Sequence, residues 1–265
     1  MTVREPDLAA RIHAFQRELE RRCAVRTEPT TFGTAFLNPE YPLRYDSNYL
    51  RADAPLDGVD ADELAADADR VLGELGAGHR KITVDGVAQG RRLAAAFLEL
   101  GWAAELLVIM AQTREPEYRP RVAVRETDFD GARHVIAEVF GRRTEGESED
   151  AAAQVVGFRA VLEREAGARF FLADVEGRPA SVCELYAIDG VAQIESVSTL
   201  EEFRGRGLGS AVVLAAARSA RERGCDVVFL VAEDADWPKD LYARLGFDPV
   251  SRFWSFLRAP GWERA

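Results

Sequence analysis

The stretch Val197–Ser210, V-S-T-L-E-E-F-R-G-R-G-L-G-S, joins an apolar strand to an apolar helix through a loop with alternating glycines. Gly205, Gly207 and Gly209 let the backbone turn sharply and approach a ligand without a Cβ in the way. The first turn of the helix that follows leaves amide N–H groups unpaired, at the positive end of its dipole. A loop of this kind suits a phosphate or pyrophosphate, and Arg204 and Arg206 add charge of the matching sign. The lysine and Ser/Thr of a P-loop are missing, and the spacing R-x-x-G-x-G is not the dinucleotide fingerprint G-x-G-x-x-G.

The residues before the loop read as a three-stranded meander: Arg169–Val175, Pro179–Ala187 and Val191–Leu200. Asp189-Gly190 is a strong hairpin signal and fixes the register of the last two strands. With Ile188 facing Val191 and a constant sum of residue numbers across the pair, Glu184 falls opposite Glu195. Facing carboxylates disfavour double ionisation, so one of them is expected to hold its proton more tightly and to suit general-base work. The alternative is that one pairs with an arginine and the other faces solvent.

Helix Gly209–Arg223, strand Val227–Ala232, helix Pro238–Leu245 and strand Phe253–Leu257 complete this half. It is preceded by strand Val122–Glu126, helix Phe129–Phe140, a polar loop at Arg142–Asp150 and helix Ala151–Glu165. Arg114–Arg121, charged and broken by Pro116 and Pro120, reads as a linker. Before it, helices are expected at Asp7–Arg22, Asp60–Leu75 and Gln89–Leu100. Extended segments are expected at Thr27–Leu37, Leu43–Arg51, His79–Asp85 and Leu106–Ala111. Both halves end strand, helix, L-G-aromatic, strand, at Leu100-Gly101-Trp102 and Leu245-Gly246-Phe247, which suggests an internal repeat. Aligning these endings sets Phe97 opposite Tyr242, and the first half has no R-x-x-G-x-G.

A formal net charge of −11 argues against sequence-independent nucleic-acid binding, which needs clustered Lys and Arg. Cys23, Cys183 and Cys225 form no C-x-x-C pair or Cys/His cluster, so no metal site is expected, and a reduced cytoplasmic setting is the simplest reading. The sequence shows neither a leader peptide nor a run apolar enough to span a bilayer, so no membrane partner is expected.

Arg204–Gly209 resembles the R/Q-x-x-G-x-G/A acyl-CoA pyrophosphate loop of the GCN5-related N-acetyltransferases, the GNAT superfamily. Leu241-Tyr242-Ala243-Arg244-Leu245-Gly246-Phe247 is similar to that family's L-Y-x-x-L-G-F ending, and the likeness covers roughly residues 121–258. The resemblance implies an α/β (α+β) fold of two GNAT-like units in tandem, each a mixed, mostly antiparallel twisted sheet flanked by helices. Residues 1–115 would be a degenerate copy without a cofactor loop, and 121–265 the catalytic domain. It implies acetyl-CoA as cosubstrate, with the backbone of Val197 and Thr199 along the pantetheine arm. Amides of Arg204, Gly205, Arg206, Gly207, Leu208, Gly209 and Ser210 would hold the pyrophosphate. Asp236 stands where the family often has an Asn near the pantetheine, and Trp237 and Lys239 either touch the cofactor or are surface residues. Tyr242 matches the general acid, with Glu195 or Glu184 as base. The acceptor would be the amine of a small molecule or peptide, and the protein a monomer or homodimer. A non-catalytic acyl-CoA-binding or interaction module is the rival reading.

Overall fold

The computed structural model describes residues 5–143 and 148–260. In chain order the elements are helix α1 (Glu5–Cys23), strands β1 (Arg26–Pro29), β2 (Thr34–Leu37) and β3 (Tyr49–Ala52), helix α2 (Ala61–Glu74), strand β4 (Arg80–Val84), helix α3 (Val87–Glu99), and strands β5 (Ala103–Gln112) and β6 (Val124–Thr127). Helices α4 (Phe129–Arg143), α5 (Glu149–Gly157) and α6 (Arg159–Ala166) follow, then strands β7 (Arg169–Val175), β8 (Arg178–Ile188) and β9 (Val191–Thr199). Helix α7 (Leu208–Glu222), strand β10 (Val227–Glu233), helix α8 (Pro238–Arg244) and strand β11 (Phe247–Arg258) complete the order. No helix among the described residues is long and apolar enough to cross a membrane.

Two compact units emerge. One gathers the segment ending at Arg22, Ile109–Ala232 and Asp236–Ser251; the other gathers Cys23–Val108, Glu233–Ala235 and the segment from Arg252. In the first unit β6, β7, β8 and β9 form an antiparallel meander, and β10 lies parallel to β9. Phe170, Leu172, Val182, Ile194 and Phe229 are buried in its core, together with Val212, Val213 and Ala216 of α7. The amphipathic α1 belongs here. Phe15 meets Phe229 edge-on at 5.3 Å, and Arg11 grips Asp226 with both terminal nitrogens. That grip holds the Asp226 carboxyl below its ordinary value.

In the second unit β1, β2 and β3 pair antiparallel, β4 joins β3 in parallel, and the end of β11 pairs antiparallel with β4. Helix α2 starts at a capping box in which Asp60 and Glu63 satisfy each other's amides. Its core packs Leu50, Leu64, Ile82, Phe97, Trp102 and Phe256, with the Phe97 and Phe256 rings stacked at 4.2 Å.

Several local expectations change. Thr27–Leu37 is a hairpin of two strands, because Thr30 N bonds Gly33 O and turns the chain. Ala151–Glu165 breaks into α5 and α6 at Gly157-Phe158, where glycine weakens the helix. Of the loop read over 142–150, residues 144–147 lie outside the described residues. Ser148 caps α5 by accepting the Ala151 amide at 3.2 Å.

Candidate active site

The Asp189-Gly190 turn sets the β8–β9 register as its chemistry demands, with Ile188 opposite Val191 and Glu184 opposite Glu195. The constant sum then fails. Val182 pairs with Ser198, so Ser196 and Val197 together oppose Cys183 in a β-bulge. Ser196 takes φ 55°, a left-handed conformation that costs a non-glycine residue roughly 1–2 kcal/mol. Close by, β9 and β10 part company: their parallel pairing runs from Val191↔Val227 to Ile194↔Leu230. Among the described residues β9 has no β10 partner beyond Ile194, which leaves that edge open through Thr199.

The glycine loop closes against this open end. A short 3-10 turn at Glu201–Phe203 leads into Gly205 and Gly207, with φ of 75° and 76°, and α7 begins at Leu208. A Cβ on Gly209 would lie 3.6 Å from Thr199 Oγ1 and 3.9 Å from Val197 Cγ1, so the first turn of α7 abuts β9 at both residues. Among the described residues, no backbone carbonyl accepts the amides of Gly205 to Ser210, whereas Ala211 N bonds Gly207 O. Arg206 stacks over Phe203 at 5.4 Å. Ser198 Oγ, also on β9, is buried without a hydrogen-bond partner. Open amides, a helix N-terminus and an orphaned hydroxyl along one strand fit an anionic, polar-armed ligand of the acyl-CoA kind.

Helix α8 brings up the remaining residues. Trp237 sits at its N-cap without a side-chain bond, while Asp236 Oδ1 accepts the Trp237 amide at 2.8 Å. Asp234 pairs with Arg252. Lys239 lies in the first turn of α8, beside Pro238. Tyr242 is only 8 % exposed, and Gly246 follows the helix in the left-handed conformation. Burial first, then the charge of Glu195 and the nearby Cys183, pushes the Tyr242 phenol well above its ordinary value.

The facing glutamates go separate ways. Glu184 is buried and accepts Arg159 Nε at 2.9 Å, and the phenol of Tyr186 donates to its other oxygen. Glu195 is half-buried, accepting Gln193 Nε2 at 2.6 Å. Arg159 also donates to the carbonyl of Val155 and, at 3.2 Å, to Ser196 Oγ. The fold therefore gathers Glu184, Glu195 and Tyr242 around the bulge, and Val197, Thr199 and the glycine loop along the open edge. Sequence reasoning missed Arg159, Tyr186, Cys183 and Tyr118. Cys183 and Tyr186 were reachable from the hairpin register; Arg159 is one of two arginines on a short helix, and nothing local marks it. A groove of about 370 Å³ lined by Phe129, Arg133, Ala137, Ala152, Val156 and Ala160 contains none of these residues.

A model described as the acetyltransferase (GNAT) family matches residues 133–247. No curated protein matches the chain. A functionally unknown conserved protein from Staphylococcus epidermidis superposes with a TM-score of 0.66 at 17 % identity, covering 89 % of this chain and 93 % of that one. A GCN5-related N-acetyltransferase from Kribbella flavida does so with a TM-score of 0.63 at 20 % identity, covering 96 % of each chain. A tandem GNAT protein from the clavulanic acid biosynthesis pathway gives 0.53 at 18 % identity over 77 % of this chain and 70 % of that one. The strand–loop–helix from Val197 to Ser210 and the Leu241–Phe247 ending both fall within residues 133–247, the stretch that matches the acetyltransferase (GNAT) family.

Proposed function

We propose that the protein is an N-acetyltransferase that moves the acetyl group of acetyl-CoA to a primary amine, on a small molecule or a peptide, by direct attack in a ternary complex. The observation that carries this reading is the seating of the α7 N-terminus on Val197 and Thr199, beside the open edge of β9. Acetyl-CoA supplies an acyl carbon activated as a thioester. Val197 and Thr199 bind its arm by backbone hydrogen bonds in the manner of an added strand. Arg204, Gly205, Arg206, Gly207, Leu208, Gly209 and Ser210 bind the pyrophosphate, with Asp236 and Lys239 at the neighbouring helix start.

Glu195, directly or through water, takes the proton that keeps the acceptor nitrogen from attacking. At pH 7 only roughly one lysine-like amine in 10³ is neutral, so this step matters. Glu195 is favoured over Glu184 because Glu184 is already committed to Arg159 and Tyr186. As nitrogen bonds to the acyl carbon and the carbon–sulfur bond breaks, Tyr242 gives its proton to the departing sulfur, and the surplus proton of the acylated nitrogen leaves through water and restores the phenol. Burial keeps that phenol in its protonated form. Direct attack is preferred to a covalent route because Cys183 is fully buried, which pushes its thiol well above the ordinary value. In this reading residues 121–265 carry the chemistry, and 1–115 are a degenerate copy that has lost the loop and, at Phe97, the hydroxyl.

The test is calorimetric titration with acetyl-CoA, followed by thiol release across a library of amines. Saturable binding and amine-dependent thiol release are expected. Binding without turnover for any amine would leave an acyl-CoA-binding module, and no binding at millimolar ligand would end the reading.

A further inference from the structure

We propose that Arg159 is a positioning residue of this transfer, holding the β9 bulge in register by bridging Ser196 to the buried carboxylate of Glu184. The inference rests on the N-acetyltransferase reading. It starts from an imbalance in the structure. The bulge is the one place where β9 departs from its pairing with β8, and it lies where β9 has also lost β10. Ser196, a residue with no intrinsic liking for positive φ, sits at φ 55°. The bulge places Ser196 in this conformation, which a serine does not favour, and contacts from outside the strand help to hold it there.

Arg159 supplies them. The side chain rises from α6 and is 2 % exposed. One guanidinium edge donates to Glu184 Oε1 at 2.9 Å, and another nitrogen reaches Ser196 Oγ at 3.2 Å. A third contact goes back to the carbonyl of Val155 in α5, and the plane lies 4.4 Å from the centre of the Phe140 ring. Tyr186 completes the carboxylate from the other side. The planar fork is what the arrangement requires: a lysine ammonium could satisfy Glu184 or reach Ser196, but not span both in this geometry.

Stability alone does not call for such a pair. Buried ion pairs are commonly matched or bettered by apolar residues of the same volume, because two charges must be stripped of water. What the pair provides is a fixed location for the bulge. The amides of Ser196 and Val197 follow that location, and they border the edge where the acyl donor binds in our reading. A displacement of the reacting atoms of about 1 Å can cost roughly a hundredfold in rate.

Two variants spare the fold. Ser196→Ala cuts the bridge and leaves the ion pair; Arg159→Lys keeps a positive charge beside Glu184 and loses the fork. Each is expected to lower kcat about tenfold or more, to leave the calorimetric affinity for acetyl-CoA within about twofold of wild type, and to speed amide hydrogen exchange at residues 196–198. Wild-type kcat in both variants would overturn the proposal, with or without faster exchange. Equal losses of kcat and of acetyl-CoA affinity would overturn it too, since the residue would then serve binding. Failure of the wild-type protein itself to turn over any amine would instead defeat the functional reading, and the exchange data would still decide whether Arg159 holds the bulge.

Discussion

The phenol of Tyr118 lies 2.6 Å from Oγ of Ser210 and ties the proline-broken stretch before β6 to the first turn of α7. The same stretch is pinned at Arg114, which grips Asp248, and at Glu117, whose amide bonds Arg244 O. Pro120 packs within 3.5 Å of where a Gly207 Cβ would stand. The segment that read as a plain linker is thus part of the wall around the glycine loop. Either hydroxyl can donate in this pair, and with the phenol as donor the serine proton is left to be given to an anion.

Tyr118→Phe should therefore weaken acetyl-CoA binding by about 0.5–1.5 kcal/mol, roughly twofold to tenfold in Kd. The freed serine turns back to a helix carbonyl. Calorimetry on the variant measures this directly, and an unchanged Kd would remove the Ser210 hydroxyl from the site.

Tyr242→Phe should cut thiol release by about 10²–10⁴-fold while acetyl-CoA still binds. Burial keeps the phenol protonated past its ordinary range, so loss of its proton should not shape the alkaline limb of the rate profile below about pH 10. A pH–rate series on the wild type checks this. An alkaline fall near pH 8 that vanishes in the Phe variant would contradict the assignment.

Two glycines separate strain from collision. At Gly246 φ is 89°, and an added Cβ would stand 2.1 Å from Arg114 O. Gly246→Ala should cost on the order of 3 kcal/mol or more in unfolding free energy. At Gly205, φ 75° faces open space, so Gly205→Ala should cost only about 1–2 kcal/mol through strain, yet impede acetyl-CoA. Urea unfolding of the pair, with calorimetry on the second, checks both.

His79 makes the second unit acid-sensitive. It is fully buried, bonded through Nε2 to Asn48 O at 2.8 Å, and its pKa is lowered to about 4, chiefly by burial. The unfolded chain binds that proton near pH 6.5, so the contribution is whole above about pH 6.5 and is lost as pH falls toward 4. Its size is on the order of 3 kcal/mol, from about 1.4 kcal/mol per pKa unit. His79→Phe should flatten the dependence between pH 7 and 4.5 in urea melts; an unaltered slope would point to another group.

What the sequence made legible was local. The Asp189-Gly190 turn carried the register as far as Glu184 and Glu195, and the two L-G-aromatic endings both turn on left-handed glycines, at Gly101 and Gly246. The bulge was not readable, because the residue that bends is a serine rather than the glycine that normally marks one. The arginine that pairs with Glu184 was equally hidden: Arg159 is 25 residues away on another element. Pairings set by tertiary packing leave no trace in periodicity.

The docking of α1 has a consequence for how the chain is born. Its anchors sit far downstream, Arg11 and Asp226 being 215 residues apart. At about 5–20 residues per second, the helix leaves the ribosome roughly 10–40 s before its partner is made. The second unit waits as well, since β4, paired with β3 on one side, lacks its other neighbour until Trp254–Arg258 arrives. Cutting the gene at the proline-broken stretch before β6 should yield two insoluble fragments rather than two domains.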